Sequence, residues 1–137
     1  MSVEANKEIV RRYQAALNAN NLDALDALVA PDIKTPDMLP GFGSGLEAAK
    51  RIHRATLAGW PDFHVVIEDM LAEGDQVCAR ITITGTAVNP VFGLPGSGNS
   101  FKIAGMYLVR IAGGKIVEHR GVEDAISLMK QVTGEQG

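Results

Sequence analysis

The side chains of this 137-residue sequence that could move protons, hold a metal or attack carbon are few: three histidines, one cysteine, two tyrosines and 16 acidic residues. His53, His64 and His119 show no metal-ligand spacing and no HExxH pattern, and no GxGxxG, GxxxxGKS or GxxxxGKT run is present to cradle phosphate. Cys78 has no evident basic neighbour to hold it as a thiolate. Carboxylates, phenols and imidazoles remain, the groups of acid/base chemistry or of ligand binding. Tyr13 lies on the apolar face of a predicted helix, and Asp37 sits in a Pro-rich loop, where aspartate commonly bonds its own backbone. Asp124 begins the last predicted helix and suits an N-cap.

Positioning these groups requires regular elements, and the hydrophobic period supplies them. Across residues 3–18, Ile9, Val10, Tyr13, Ala16 and Leu17 recur at helical spacing, with Glu4, Arg11 and Gln14 on the other face. Leu22, Leu25, Leu28 and Val29 make a short second helix that Pro31 stops, and residues 34–45 read as a loop. Ser44 and Glu47 fit a capping box at the head of a third helix with an apolar face of Leu46, Ala49, Ile52, Thr56, Leu57 and Trp60. His53 lies close to that face and could point into a cavity. Beyond Pro61 the period shifts towards two, which predicts strands over 63–73, 76–88, 101–112 and 115–122, joined as hairpins at Gly74-Asp75 and Gly113-Gly114. Residues 89–100 are too rich in Gly and Pro for a strand; with Phe92 and Leu94 they read as a loop covering something apolar, and Trp60 as cavity wall. A short helix around Ala125 to Val132 closes the chain.

A two-residue turn at Gly113-Gly114 sets Leu108 opposite His119 and Tyr107 opposite Arg120. Tyr107, Glu118 and Arg120 then share a face with Ile103, Val109 and Ile111, a mixture expected of a cavity lining, while His119 falls on the opposite face. Neither face is cleanly polar, which predicts helices over one and a second subunit over the other. The same counting at Gly74-Asp75 places Asp69 opposite Arg80 as a cross-strand ion pair.

Composition bounds the setting. One domain, residues 1–137, is expected at this length, with enough chain for a real core. A net charge of −3 without a Lys/Arg run argues against nucleic acid as a partner. The single cysteine cannot form an internal disulfide, the N-terminus lacks a basic-then-apolar signal, and no stretch approaches the ~18 apolar residues of a membrane span. A cytoplasmic protein without membrane attachment is the expectation. Helices followed by antiparallel strands indicate an α+β fold, with N-terminal helices packed on one face of the sheet.

Taken in order, LAEGDQV, VFGLPGSG and GGKIVEHRGVED before an apolar helix resemble the SnoaL-like polyketide cyclases, also termed predicted ester cyclases. The helix, helix, loop, helix, sheet order resembles the cone-shaped, cystatin-like fold of the nuclear-transport-factor-two superfamily over nearly the whole chain. In the front half, VRRYQAALNANNLDAL followed by Asp37 is also similar to the ketosteroid isomerases.

Both resemblances imply removal of a proton α to a carbonyl without a cofactor or metal, the enolate being held by hydrogen-bond donors in an apolar pocket. In cyclases the enolate closes a ring by aldol attack; in isomerases a double bond moves. The isomerase resemblance casts Tyr13 as oxyanion donor, Asp37 as base and Tyr107 as the second donor. The cyclase resemblance casts Asp124 as the acid/base group. Arg120 stands where that family usually has tryptophan, and a cation there would favour a carboxylate ligand. Expected substrate contacts are Arg120, His53, Trp60, Phe92, Leu94 and Glu118, with a small molecule as partner and a homodimer formed through the sheet. The alternative is a non-catalytic module binding a small apolar or carboxylated ligand.

Overall fold

The computed structural model describes residues 2–37 and 41–134, so residues 38–40 of the predicted loop over 34–45 lie outside the described ones. The chain opens with helix α1 (Val3–Asn18), capped by the Ser2 hydroxyl, which accepts from the Ala5 N–H at 3.0 Å. A 3₁₀ turn (Leu22–Ala24) leads into the single turn α2 (Leu25–Leu28) and then strand β1 (Val29–Lys34). Helix α3 (Gly45–Gly59), strands β2 (His64–Glu73), β3 (Gln76–Thr86), β4 (Ser100–Ala112) and β5 (Lys115–Glu123), and helix α4 (Ala125–Thr133) follow. The result is an α+β fold, with the helices on one face of a curved five-stranded sheet ordered β1-β5-β4-β3-β2.

Both hairpins form where predicted, with Gly113 and Gly114 at φ +59° and +78°, the left-handed geometry a tight hairpin turn requires. Asp69 meets Arg80 across β2 and β3, Nη2 to Oδ2 at 2.7 Å, on the solvated face. Along β4, Phe101, Ile103, Tyr107, Val109 and Ile111 are buried while their neighbours are not, the alternation of a half-buried strand.

Three expectations are corrected. Strand β1 occupies Val29–Lys34, where the helix was expected to finish, and pairs parallel with β5. Pro31 is tolerated because β1 is the edge of the sheet, where one N–H of the ladder can be dispensed with. The capping box does not form: Ser44 is extended but its hydroxyl caps nothing, and Glu47 turns to Lys50 at 3.6 Å. The helix instead begins against the backbone of β1, where a Cβ on Gly45 would stand 2.7 Å from the Pro31 carbonyl oxygen.

The third correction concerns β5. Ile111 opposes Ile116, but Arg110 opposes Glu118, so Val117 is an extra residue and the strand carries a bulge. Beyond it every pairing is displaced by one: Val109 faces His119, Leu108 faces Arg120 and Tyr107 faces Gly121. His119 therefore shares the helix-covered face with Tyr107, whereas Glu118 and Arg120 turn to the outer face.

Candidate active site

Between α1, α3 and the inner face of the sheet lies an open cavity of about 780 Å³. Its walls are mostly aliphatic and aromatic, because the inner positions of β3 and β4 and the facing stripes of α1 and α3 are apolar. Two aromatic groups lie along it. Tyr107 stacks on His119 with ring centroids 4.9 Å apart, and Tyr13 meets Tyr107 edge-on at 6.3 Å. Trp60 packs on Phe101 at 4.9 Å and on Phe92 at 5.7 Å. Phe101 and Tyr107 are six positions apart on β4, roughly 20 Å at the rise of a strand. The cavity is thus long enough for several fused rings.

The chemistry-bearing groups gather at the Tyr107 end. The carboxylate of Asp37 lines the cavity and accepts from the Gly121 N–H, Oδ2 at 3.2 Å, which pins the loop after β1 to the bulged strand. The Asp37 charge reaches His119: burial pushes that imidazole below its ordinary pKa, and the carboxylate pulls partly the other way. Tyr13 is pushed up to about 12 by burial and stays a protonated donor, with no hydrogen bond to any described residue. Tyr107 is raised further, by burial and then by its neighbour Tyr13. Its hydroxyl is already committed, donating to Gln14 Oε1 at 3.2 Å, and Gln14 in turn donates to Asn18 Oδ1 at 3.3 Å.

Of the residues singled out from sequence, Tyr13, Tyr107, Asp37, His53, Trp60, Phe92 and Leu94 line this one cavity. Asp124 does not; its carboxylate accepts from the Ser127 N–H at 3.0 Å and caps α4. Glu118 and Arg120 do not either, since the bulge places them outside, where Glu118 bridges Arg120 at 2.8 Å and Arg110 at 3.5 Å. Flanking groups hold Glu118 below the usual carboxylate range, Arg120 first by its hydrogen bond.

Three groups were missed. Gln14, assigned to the solvent face of α1, is buried because the Tyr107 hydroxyl needs an acceptor there. His119 was hidden by the bulge. Glu123, paired with Gly105 on the inner face, reaches the mouth of the cavity, and partial burial raises its pKa. The only charged side chains among the described lining residues are Asp37 and Glu123.

Comparison with known proteins agrees with this architecture. The sequence pattern of the SnoaL-like polyketide cyclase family matches residues 7–132. The nogalonic acid methyl ester cyclase of Streptomyces nogalater is 29% identical over 125 residues, covering 86% of this chain and 90% of that protein. Among solved structures, TsrD of Streptomyces laurentii superposes with a TM-score of 0.87 at 25% identity, covering 96% of this chain and 97% of that one. A SnoaL-like polyketide cyclase of Agrobacterium tumefaciens shares the fold, with a TM-score of 0.81 at 20% identity over 96% of this chain and 98% of its own.

Proposed function

The chain belongs to the SnoaL-like polyketide cyclase family, and from that premise we propose that it catalyses a cofactor-independent aldol ring closure of a neutral, multi-ring keto substrate, with Asp37 as base. The observation that carries this reading is the convergence of Asp37, Tyr13 and His119 at one end of an apolar cavity. Asp37 takes the α-proton, and the Tyr13 hydroxyl donates to the oxygen of the enolate. The enolate carbon then attacks a second carbonyl of the same molecule, forming the C–C bond, and the resulting alkoxide takes the proton back from Asp37. His119, neutral and stacked on Tyr107, walls this end without adding charge.

Charge selects the substrate class. With two carboxylates and no lysine or arginine among the described lining residues, a free carboxylic acid would be repelled, so an ester or other neutral form is favoured. The carboxylated ligand expected from Arg120 is not supported, because that guanidinium is on the outer face. A double-bond isomerase would use the same Asp37 and Tyr13, but the second phenol is not free to assist: the Tyr107 hydroxyl is held by Gln14.

The outer face of the sheet carries Leu71, Met106 and Leu108, all exposed, and a homodimer through this face is our reading of it. Sedimentation at micromolar concentration should show two copies; a monomer would refute it. No helix among the described residues is long and apolar enough to cross a membrane, and with a single, half-buried cysteine we place the protein in the cytoplasm.

The deciding experiment is α-proton exchange of a panel of cyclic ketones and β-diketones in deuterated water, followed by NMR. Wild type should exchange protons of at least one compound, and Asp37→Asn should lose about 10²-fold or more. No enzyme-dependent exchange anywhere in the panel, or a rate unchanged by Asp37→Asn, would end the proposal.

A further inference from the structure

Aldol ring closure places negative charge on two oxygens in turn, and Tyr13 can serve only one of them. When the enolate carbon attacks a carbonyl of the same molecule, the enolate oxygen and the acceptor oxygen stand in a 1,3 relation across the new bond, within a few ångströms of each other. Each gains from a donor already aimed at it. The donor for the second oxygen must therefore stand beside Tyr13, carry no charge and be free.

His119 meets these conditions. Its ring lies 6.1 Å from the Tyr13 ring, centroid to centroid, and lines the same cavity. Burial keeps the imidazole neutral, and whichever nitrogen holds the proton, one N–H remains to be given. Its two polar neighbours are committed elsewhere: the Tyr107 hydroxyl donates to Gln14, and Asp37 Oδ2 takes the Gly121 N–H. The acceptor the fold offers is the residue's own backbone carbonyl, a bent and weak contact because ring and carbonyl share one residue, and a ligand oxygen in line displaces it. The ring also leans over a residue without a side chain: a Cβ on Gly121 would stand 3.4 Å from His119 Cε1, the carbon between the two nitrogens.

The imidazole is held in place from behind. It stacks on Tyr107, planes 30° apart, and the Tyr107 hydroxyl is anchored on Gln14, which donates to Asn18. Asn18 in turn clamps the backbone of β2, taking the Val65 N–H at 3.1 Å and giving to the Val65 carbonyl at 2.8 Å. A connected network of this kind fixes the orientation of the ring that carries His119.

We propose that His119 is a further catalytic residue, its N–H donating to the oxygen of the carbonyl under attack and holding the alkoxide formed there until Asp37 returns the proton, with Tyr107 and Gln14 as positioning residues. This rests on the reading of Asp37 and Tyr13 as the enolising pair. It separates two stages: Asp37 and Tyr13 suffice for proton exchange, and ring closure needs His119 as well.

The test follows both stages in one neutral triketone, 2-methyl-2-(3-oxobutyl)cyclohexane-1,3-dione, whose side-chain enolate closes on a ring carbonyl. Exchange in deuterated water and ketol formation are both read by NMR, and wild type should accelerate both. His119→Phe, which keeps a stacked ring and removes the N–H, should leave exchange within about threefold and slow closure about 10²-fold. His119→Gln, which keeps an N–H, should recover part of the closure. A second measurement needs no turnover: in the infrared spectrum of bound 2,2-dimethylcyclohexane-1,3-dione, both carbonyl bands should move down in wild type and one should return in His119→Phe. If that variant does not fold, the ring-nitrogen NMR signals of wild-type His119 decide, and they should move when the dione binds. Closure unchanged by His119→Phe, exchange and closure lost equally, or a dione that leaves the His119 signals in place would overturn the proposal. Two shifted carbonyl bands without any proton exchange would instead remove the enolisation reading and leave His119 as a carbonyl donor.

Discussion

The two faces of the β4–β5 ladder are built from the same two strands and do opposite things with polar residues. On the outer face, Arg110 reaches Asp75 at 2.9 Å and Glu118 at 3.5 Å, and Glu118 reaches Arg120 at 2.8 Å, all partly or largely exposed. On the inner face, the polar groups of Tyr107 and His119 are neutral, Glu123 stands at the mouth of the cavity, and the Asp37 carboxylate, from the loop after β1, is tied to a backbone N–H. Charges that gain little from each other in water can be lost at small cost, whereas neutral donors in an apolar cavity act at full strength. Function is therefore to be sought among the groups facing inward, and a single extra residue, Val117, decides which residues of β5 those are.

This contrast can be challenged by substitution on either side. Beyond the loss expected for Asp37→Asn, the largest effect should follow Tyr13→Phe, with exchange slowed about 10²-fold. Tyr107→Phe should slow it far less, because that hydroxyl is held by Gln14; equal losses in the two variants would mean that both phenols serve the reaction.

Next comes the pH dependence of stability. His53 and His119 both have folded pKa values below the ordinary histidine value. The unfolded chain therefore binds more protons just below pH 6.5, and stability should fall as pH drops from 7 towards 5. Urea midpoints should show this decline, and His119→Leu should flatten it; a midpoint unchanged over this range would show that the imidazoles are not buried neutral. At the alkaline end Tyr13 has the opposite sign. Its pKa, pushed up to about 12, leaves the folded state holding a proton the unfolded state loses near 10, so stability should decline above pH 10.

Smaller still is Asp124→Ala, which removes the cap of α4 and should cost about 1 kcal/mol in denaturant unfolding with exchange unchanged. A loss of exchange there, without a matching loss for Asp37→Asn, would move the base to α4. Smallest is Arg120→Gln, expected to leave ligand affinity within about twofold and stability within about 0.5 kcal/mol.

How much could be read in advance depended on how far each argument had to count. Asp69 and Arg80 were legible because only a tight turn and four regular pairings separate them. Glu118, Arg120 and His119 were misplaced because the same count along β5 passes through Val117, and a bulge has no residue signature of its own. Strand β1 was hidden for a different reason. Its partner is β5, Val29 against Ile116, and nothing local marks a parallel pairing between residues so distant in the chain. Gln14 looked solvent-facing by period alone; only the arrival of the Tyr107 hydroxyl from β4 makes it a buried acceptor.

By itself, the sequence determined the α+β class, the two hairpins, the apolar faces of α1 and α3, and the presence of a cavity with Tyr13, Tyr107 and Asp37 among its candidates. The elements follow from periodicity and turn chemistry, which act over a few residues; Tyr13 and Asp37 became candidates through the family resemblance. The tertiary structure alone decided which carboxylates face the cavity, which phenol remains free to donate, and that His53 Nε2 and Trp60 Nε1 are left without hydrogen-bond partners. Those outcomes depend on register and on contacts between elements far apart in the chain, where a one-residue displacement exchanges inside for outside.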